Sequence, residues 1–249
     1  MQNAKGLEAM NILCIGNSFS QNATRYLHQI ARKDGKEINI VNLFIGGCTL
    51  DRHFRNMLSE KAEYLFYFNG IYTGFKLSIK EAILSREWDY ITVQQASHKS
   101  PKYENYQPYL NELVAYVRKC APKTKVLIHQ TWAYLEGSEK LTKTMGYATP
   151  QDMFADIKDA YDKALKDANL DGLIPSGALF QELIKENISP IHSDPIHASK
   201  GIGQYALALL WYRYLTGADV TNDTFCDFDE EIPAETIAKI KECVMRTEI

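Results

Sequence analysis

The segment Gly16-Asn17-Ser18 follows a short apolar run and carries a serine that can act as a nucleophile. A small residue before the serine allows a tight turn, and a helix that starts there presents free backbone N–H groups and the positive end of its dipole. A serine at such a turn can face solvent and attack an acyl carbon. Two alternatives stay open: Ser18 or Ser20 only caps the helix, or the turn cradles a phosphate or a flavin.

A second segment, Asp194-Pro195-Ile196-His197, has the residues of a general base. An aspartate three residues ahead of a histidine can accept the proton of imidazole Nδ1, which leaves Nε2 free to face a nucleophile. Hydrolysis by serine needs such a base because the hydroxyl is a weak nucleophile at neutral pH. The alternatives are a surface turn with Asp194 as a helix cap, or a metal site of His192, Asp194 and His197. The metal site ranks lower because no helical His-x-x-x-His pair or second carboxylate cluster accompanies it.

A pair of glycines, Gly46 and Gly47, follows the second apolar run. Paired glycines let the backbone approach a ligand closely, so an N–H group can point at an oxyanion that forms during acyl transfer. Taken alone, a Gly-Gly pair is also an ordinary loop marker.

Strand-like and helix-like runs alternate along the chain, and these elements must position the three segments. The strand-like runs are residues 10–16, 37–44, 88–94, 125–130 and 171–175; the helix-like runs are a stretch ending at 33 and residues 109–120, 153–168, 202–215 and 233–245. Such alternation predicts an α/β fold with a parallel sheet covered by helices on both faces. Ligands bind beyond the carboxyl ends of these strands, so we expect the insertions at 61–80 and 135–149 to shape a pocket.

The bulk composition is that of a globular protein. The chain has 249 residues, of which 45% are hydrophobic, and a formal net charge of −3. This profile predicts one domain over residues 1–249, with a core at about 11–217 and an accessory C-terminal helix within 218–249. The sequence lacks the clustered Lys and Arg of a nucleic-acid binder, and no apolar run approaches the roughly 20 residues of a membrane helix.

Cysteine usage and the first residues bear on the cellular compartment. Five cysteines without a Cys-x-x-Cys spacing fit reduced thiols in a cytoplasmic protein. Residues 1–9 lead directly into the first apolar run, without the charged start, apolar stretch and cleavage site of an export signal. We therefore expect a cytoplasmic location for the chain as written, and an exported one if a signal has been removed ahead of it.

Together, the three segments resemble the SGNH (GDSL-like) hydrolase family in residue type, order and position. In that family a serine lies in a Gly-Asp-Ser block after the first strand, a glycine after the second strand lines the oxyanion hole, and a C-terminal Asp-x-x-His completes the triad. The resemblance implies that Ser18, His197 and Asp194 form a catalytic triad, with Gly47 in the oxyanion hole. It covers about 11–217, and Asn17 stands where the family has Asp.

The same resemblance implies the fold and the reaction. The fold is expected to be a three-layer α/β/α sandwich around a five-stranded parallel sheet of flavodoxin-like order. The expected reaction is hydrolysis of small acyl esters of the acetyl type, preferably on carbohydrate, by analogy with many relatives. No cofactor, metal, nucleic acid or membrane takes part in it, and the oligomeric state stays open.

The third sequence block departs from the family pattern. The family usually has Gly-x-Asn-Asp after the third strand, whereas this chain has Gln94-Gln95-Ala96-Ser97-His98, which looks like a bacterial branch with a Gln-containing block. A glutamine amide can donate to an oxyanion as asparagine does, so Gln94 or Gln95 is the expected donor, ahead of His98 and Ser97. Because the block is altered, a non-catalytic ligand-binding protein of this fold is the alternative, followed by a phosphate or flavin binder.

Two aromatic residues are expected to line the substrate pocket. Trp132 and Tyr134 follow the fourth strand-like run, at the edge of the sheet where the site should form. Aromatic rings stack well on sugar rings, although such a tryptophan is as often part of the core.

Overall fold

The computed structural model describes residues 9–249 of the chain. The expectation that no export signal begins the chain falls on residues 1–8, which lie outside the described part. Within residues 9–249, no helix is both long and apolar enough to cross a membrane.

Within residues 9–249, seven strands form one central sheet. They are β1 (Met10–Gly16), β2 (Ile38–Phe44), β3 (Tyr64–Phe68), β4 (Ile71–Leu77), β5 (Tyr90–Val93), β6 (Lys125–His129) and β7 (Gly172–Ile174). Their order in the sheet is β4-β3-β2-β1-β5-β6-β7. The five strands β2-β1-β5-β6-β7 are parallel. Their spatial order in the sheet is the expected flavodoxin-like order.

The expected count of five strands is wrong because the aromatic segment 61–80 adds an antiparallel hairpin beside β2. β3 pairs with β2, and β4 pairs with β3. Asn69 and Gly70 join the two strands, with φ angles of 48° and 83°. An Asn-Gly pair suits a tight hairpin turn that needs positive φ at both central residues. This dipeptide between two aromatic runs was the sequence signal for the hairpin.

Nine α-helices lie within residues 9–249. They are α1 (Ser18–Thr24), α2 (Leu27–Lys33), α3 (Leu50–Ser59), α4 (Ile79–Leu84), α5 (Tyr109–Cys120), α6 (Pro150–Asp167), α7 (Ser176–Lys185), α8 (Ile202–Thr216) and α9 (Ala234–Arg246). The predicted helix 109–120 is confirmed, and those at 153–168, 202–215 and 233–245 are confirmed within a few residues. The run ending at 33 is two helices, and α3, α4 and α7 were not predicted.

The helices lie in two layers, one on each face of the sheet, as expected. α8 packs against α1, α2, α7 and α9, whereas α3 and α4 pack against α5. Almost every residue of α8 is buried, which explains why its sequence is apolar on all sides. Ile240 and Val244 of α9 belong to the same core cluster as Ile12 of β1.

The carboxyl ends of the central parallel strands lie side by side at one edge of the sheet. Gly16 at the end of β1 is opposite Phe44 at the end of β2, and Ile15 is opposite Val93 at the end of β5. The loops that follow β1, β2 and β5 therefore start at the same edge, which is where the chemistry-bearing segments are found.

Candidate active site

The serine turn, residues 16–18, joins the central strand β1 to the helix α1. Asn17 caps this helix, because its Oδ1 accepts a hydrogen bond from the backbone N–H of Phe19 at 3.0 Å. Ser20 donates its hydroxyl proton to the carbonyl oxygen of Asn17 at 2.9 Å. Ser18 is the first residue of α1, and its hydroxyl takes no part in the cap. The alternative in which Ser18 serves only as a capping residue is therefore wrong.

Crowding beneath the serine turn requires glycine at position 16. A Cβ atom there would lie 2.6 Å from Ser20 Oγ and 2.9 Å from Gln94 Oε1. Close-packed neighbours have no free space into which they can move, so a larger residue would displace the turn that carries Ser18.

His197 lies in the histidine loop, the irregular segment 191–200 between α7 and α8. Asp194 Oδ1 accepts hydrogen bonds from the backbone N–H groups of Ile196 and His197, both at 2.8 Å. Asp194 Oδ2 lies 2.7 Å from His197 Nδ1. Burial acts to raise the pKa of Asp194, but these hydrogen bonds outweigh it and hold the pKa below its usual value. Asp194 is thus an ionised acceptor that fixes the imidazole ring.

The histidine loop meets the serine turn at the two side chains that could react. His197 Nε2 lies 2.9 Å from Ser18 Oγ, although the residues are 179 positions apart. In the neutral imidazole that donates its Nδ1 proton to Asp194, Nε2 carries no proton and can accept the hydroxyl proton of Ser18. The structure therefore brings together the three residues that the sequence singled out.

The glycine loop, residues 45–49, lies beside the serine turn and is tied to it by Asn17. Asn17 Nδ2 donates to the carbonyl oxygen of Cys48 at 3.1 Å. Gly47 is exposed and has a φ angle of 59°, which favours glycine. Within residues 9–249, the backbone N–H groups of Ser18 and Gly47 donate to no other protein atom. Both groups are free donors at the edge of the sheet where Ser18 lies.

The two glutamines after β5 have different surroundings. Gln95 Oε1 accepts hydrogen bonds from the backbone N–H groups of Leu50 and Ala96. Gln95 Nε2 donates to the carbonyl oxygen of Asn105. Gln95 is therefore a buried link between loops, with one of its two amide protons already donated, and its role as an oxyanion donor stays a prediction. Gln94 is also buried, and within residues 9–249 both of its amide atoms lack a hydrogen-bond partner; its role as a donor stays a prediction.

The metal alternative finds no support in the arrangement of side chains. His192 Nε2 donates to the carbonyl oxygen of Ala133 at 3.0 Å, so this ring nitrogen is already engaged. In the part of the chain that the structure describes, no group of three or more His, Cys, Asp or Glu residues is placed to hold a metal ion. Asp194 and His197 are instead engaged with each other and with Ser18.

Comparison with known proteins identifies the family. The sequence matches the family described as "Domain of unknown function (DUF4886)" over residues 11–241. The chain belongs to this family. Its fold is shared with a solved structure described as an SGNH hydrolase. The crystal structure of a DUF4886 protein from Bacteroides uniformis is 33% identical to this chain, with a TM-score of 0.89 over 95% of this chain and 93% of that one.

More distant solved structures share the fold of this DUF4886 protein. A candidate SGNH hydrolase from Slackia heliotrinireducens is 24% identical, with a TM-score of 0.58 over 84% of this chain and 100% of that one. A carbohydrate acetylesterase from Sinorhizobium meliloti is 15% identical, with a TM-score of 0.52 over 84% of this chain and 99% of that one. Likeness at these identities shows the fold alone. No curated protein matches the sequence.

The two aromatic residues expected to line the pocket of this DUF4886 protein lie in its core instead. Trp132 has no exposed surface, and its ring stacks on Phe19 and Phe180 with centroid distances of 4.0 and 4.9 Å. Tyr134 is only 3% exposed, and its hydroxyl lies 2.9 Å from Ser97 Oγ. The expectation that these residues line a pocket is wrong because the hydrophobic core extends up to the serine turn.

Trp132 instead helps to hold the histidine loop in this DUF4886 protein. Its Nε1 donates to the carbonyl oxygen of Ile196 at 3.0 Å, and the two residues are 64 positions apart. Nearby, the backbone N–H of Leu135 donates to the carbonyl oxygen of Pro195 at 2.9 Å. Sequence reasoning missed this role because the partner atom is a backbone carbonyl in a distant segment, which leaves no local pattern.

Proposed function

We propose that this protein is a serine hydrolase of carboxylic esters with small acyl groups, in which Ser18 is the nucleophile, His197 the general base and Asp194 its orienting partner. The observation that carries the proposal is the hydrogen-bonded series from Asp194 through His197 to Ser18, with distances of 2.7 and 2.9 Å. Nucleophile, base and orienting acid in hydrogen-bond reach of one another are the arrangement that acyl transfer by serine requires.

The reaction proceeds in two halves. His197 Nε2 removes the Ser18 hydroxyl proton while Ser18 Oγ bonds to the ester carbonyl carbon, and the carbonyl oxygen becomes an oxyanion. The free backbone N–H groups of Ser18 and Gly47 are the donors proposed to stabilise that oxyanion. The tetrahedral intermediate then collapses, the bond to the alcohol oxygen breaks, and protonated His197 gives its proton to the departing alcohol.

Water completes the cycle. His197 Nε2 takes a proton from a water molecule, whose oxygen attacks the acyl group on Ser18. A second tetrahedral intermediate forms and breaks to release the carboxylic acid, and the proton returns from His197 to Ser18 Oγ. Throughout, ionised Asp194 keeps the Nδ1 proton in place and stabilises the charged imidazolium.

An acetyl group on carbohydrate is the proposed substrate class. The side chains of His197 and Asp194 are 30% and 46% exposed, so the reacting groups lie close to the surface of the molecule. An open site of this kind suits an acyl group carried on a bulky polar alcohol such as a sugar. The likeness in fold to a carbohydrate acetylesterase supports the same choice by analogy.

Hydrolysis of p-nitrophenyl acetate, together with labelling by a fluorophosphonate probe, tests the reaction. We expect labelling at Ser18, and a fall in turnover of about 10³-fold or more in both Ser18→Ala and His197→Ala. Ser193→Ala is the matched serine control: this exposed residue lies in the histidine loop, and its hydroxyl makes only long contacts of 3.3 and 3.5 Å to carbonyl oxygens. It should keep both labelling and turnover.

The outcome of this test separates the candidate functions. Equal turnover in the wild type and Ser18→Ala would remove the esterase proposal and leave a ligand-binding protein of the same fold. Comparison of acetyl, butyryl and octanoyl esters, followed by acetylated xylan, tests the substrate class. A preference for octanoyl over acetyl esters would contradict it.

A further inference from the structure

The segment from Ser18 to Tyr26, which comprises α1 and the turn that leads into α2, contacts the histidine loop at three regularly spaced positions. Ser18, Asn22 and Tyr26 are four residues apart, so they lie on one face of the helical segment, one above the other. Beyond the contact of Ser18 with His197, Asn22 Oδ1 accepts a hydrogen bond from the backbone N–H of Ala198 at 3.1 Å. The Tyr26 hydroxyl donates to the carbonyl oxygen of Lys200. Residues 18–26 and 197–200 thus run alongside each other and are joined by a hydrogen bond at each helical turn.

Of the two additional hydrogen bonds, the one that Asn22 accepts from Ala198 is closer to the reacting atoms. Ala198 follows His197 directly, and Asn22 is one helical turn from Ser18, so this bond fixes the backbone next to the imidazole. A single hydrogen bond between Ser18 and His197 leaves the loop free to pivot about that contact. A second attachment one turn away removes the pivot, since two points define the direction of approach.

The rest of the histidine loop leaves the N–H of Ala198 available for this contact. His192 and Ala198 form an isolated antiparallel bridge, and Ser193 N–H donates to the carbonyl oxygen of His197 at 2.9 Å. These bonds fold the loop onto itself but do not attach it to α1. The amide oxygen of Asn22 supplies that attachment, and in its absence the N–H of Ala198 would lose its partner at a partly buried position.

We propose that Asn22 is a positioning residue that sets the approach of His197 Nε2 to Ser18 Oγ. The inference rests on the proposed function, because positioning matters only if this pair reacts. Asn22 touches neither reacting atom in this scheme. It acts through the backbone of Ala198, and misplacement of a catalytic group by about 1 Å can cost on the order of 10²-fold in rate.

Four substitutions separate positioning from general stability. Asn22→Leu keeps the size of the side chain but removes the acceptor, whereas Asn22→Asp keeps an oxygen acceptor at the same position. Tyr26→Phe removes the outermost contact. Gln21→Leu is the matched control: the neighbouring residue is also half-buried, and within residues 9–249 its side chain makes no hydrogen bond.

The readouts are kcat and KM for p-nitrophenyl acetate and the rate of fluorophosphonate labelling of Ser18. We expect kcat and the labelling rate of Asn22→Leu to fall about tenfold or more with KM nearly unchanged, because geometry and not ground-state binding is altered. Asn22→Asp should recover most of kcat, Tyr26→Phe should lose less than Asn22→Leu, and Gln21→Leu should match the wild type.

Two different failures can be told apart. If the wild type turns over in a Ser18-dependent manner and Asn22→Leu is as fast, or Gln21→Leu loses as much, the positioning role of Asn22 is overturned while the esterase stands. If the wild type shows no Ser18-dependent turnover, both proposals are overturned. Amide hydrogen exchange at Ala198, slow in the wild type and fast in Asn22→Leu, checks the contact itself without any activity measurement.

Discussion

The serine turn and the histidine loop supply the two halves of the candidate site, and they are built in opposite ways. The serine turn is the junction of the central strand β1 with α1, so regular backbone hydrogen bonds fix it on both sides. The histidine loop contains neither helix nor strand, apart from one isolated bridge. It is held by contacts from other segments, such as those of Asn22 and Trp132.

This difference predicts which half is sensitive to remote substitutions. A strand-to-helix junction is held by many backbone hydrogen bonds, so the loss of one remote contact has little effect on it. Only changes within the turn should therefore disturb Ser18. The contacts of Asn22 and Trp132 with the histidine loop are single hydrogen bonds, each of which contributes about 0.5–1.5 kcal/mol net to stability. Loss of one such bond should shift His197 while the fold stays intact.

The largest expected effect comes from Asp194→Asn, which breaks the orientation of the imidazole inside the histidine loop. The asparagine oxygen can keep the two backbone hydrogen bonds from Ile196 and His197, but its NH₂ group then faces Nδ1. The imidazole proton must move to Nε2, which can no longer accept the proton of Ser18. We expect kcat for p-nitrophenyl acetate to fall about 10³–10⁴-fold with an unchanged unfolding midpoint.

Heteronuclear NMR of the imidazole nitrogens checks the cause of that loss, since Nδ1 should be protonated in the wild type and Nε2 in Asp194→Asn. Asp227→Asn, an exposed aspartate in the C-terminal segment, is the control and should keep its activity. A loss smaller than tenfold in Asp194→Asn would mean that Asp194 does not set the tautomer.

The second-largest effect is expected from a substitution inside the serine turn, Gly16→Ala. Gly16→Ala introduces a Cβ within 3 Å of Ser20 Oγ and Gln94 Oε1, and overpacking of this kind typically costs about 1–3 kcal/mol. We expect urea denaturation to show that loss. Gly46→Ala is the matched control, because its Cβ would meet only the ring of Phe44 at 3.9 Å. Equal stability of the two variants would mean that the turn tolerates displacement.

The same contrast explains how much of the molecule was predictable. Ser18 and its turn follow from local sequence, since an apolar strand, a glycine and a helix start are adjacent in the chain. The long helices α5 and α8 follow from periodicity and apolar content. The hairpin of β3 and β4 also had a local signal in Asn69-Gly70. The aromatic and glycine residues around this dipeptide favoured the interpretation of 61–80 as an insertion, so the two strands were not predicted.

The parts that the sequence could not reveal depend on partners far apart in the chain. The oxygen that receives the Trp132 N–H is 64 residues away, and Gln95 links to Leu50 at a separation of 45 residues. A polar or aromatic side chain has the same local sequence whether it lines a pocket or links two loops. The residue types of the site were therefore predictable, whereas the division into reacting and supporting residues required coordinates.

A smaller effect is expected from Asn17→Asp, which sharpens the comparison because it introduces the residue usual in the SGNH family that the sequence resembles. Aspartate keeps the acceptor for the N–H of Phe19, but it loses the N–H that Asn17 donates to the carbonyl oxygen of Cys48. A carboxylate oxygen would then face a carbonyl oxygen and push the glycine loop away. We expect kcat to fall about tenfold, which corresponds to the loss of one hydrogen bond.

Asn17→Ser separates the two parts of that effect, since serine keeps an acceptor for the cap without adding charge. The Asn17→Ser variant should lose less activity than the Asn17→Asp variant. If Asn17→Asp is as fast as the wild type, the glycine loop is placed by contacts other than the Asn17 amide.

The smallest effect tests the support of the histidine loop alone. Trp132→Phe keeps an aromatic ring between Phe19 and Phe180 but removes the N–H donated to Ile196, which should cost about 1 kcal/mol in stability and a few-fold in kcat. Trp88→Phe is the matched control, because Trp88 is a buried tryptophan whose N–H donates to the carbonyl oxygens of Ala82 and Ile83 at the end of α4. Both variants should lose similar stability in urea, but only Trp132→Phe should lose activity. An equal change of kcat in both would mean that the histidine loop responds to general loosening of the core and not to its own contacts.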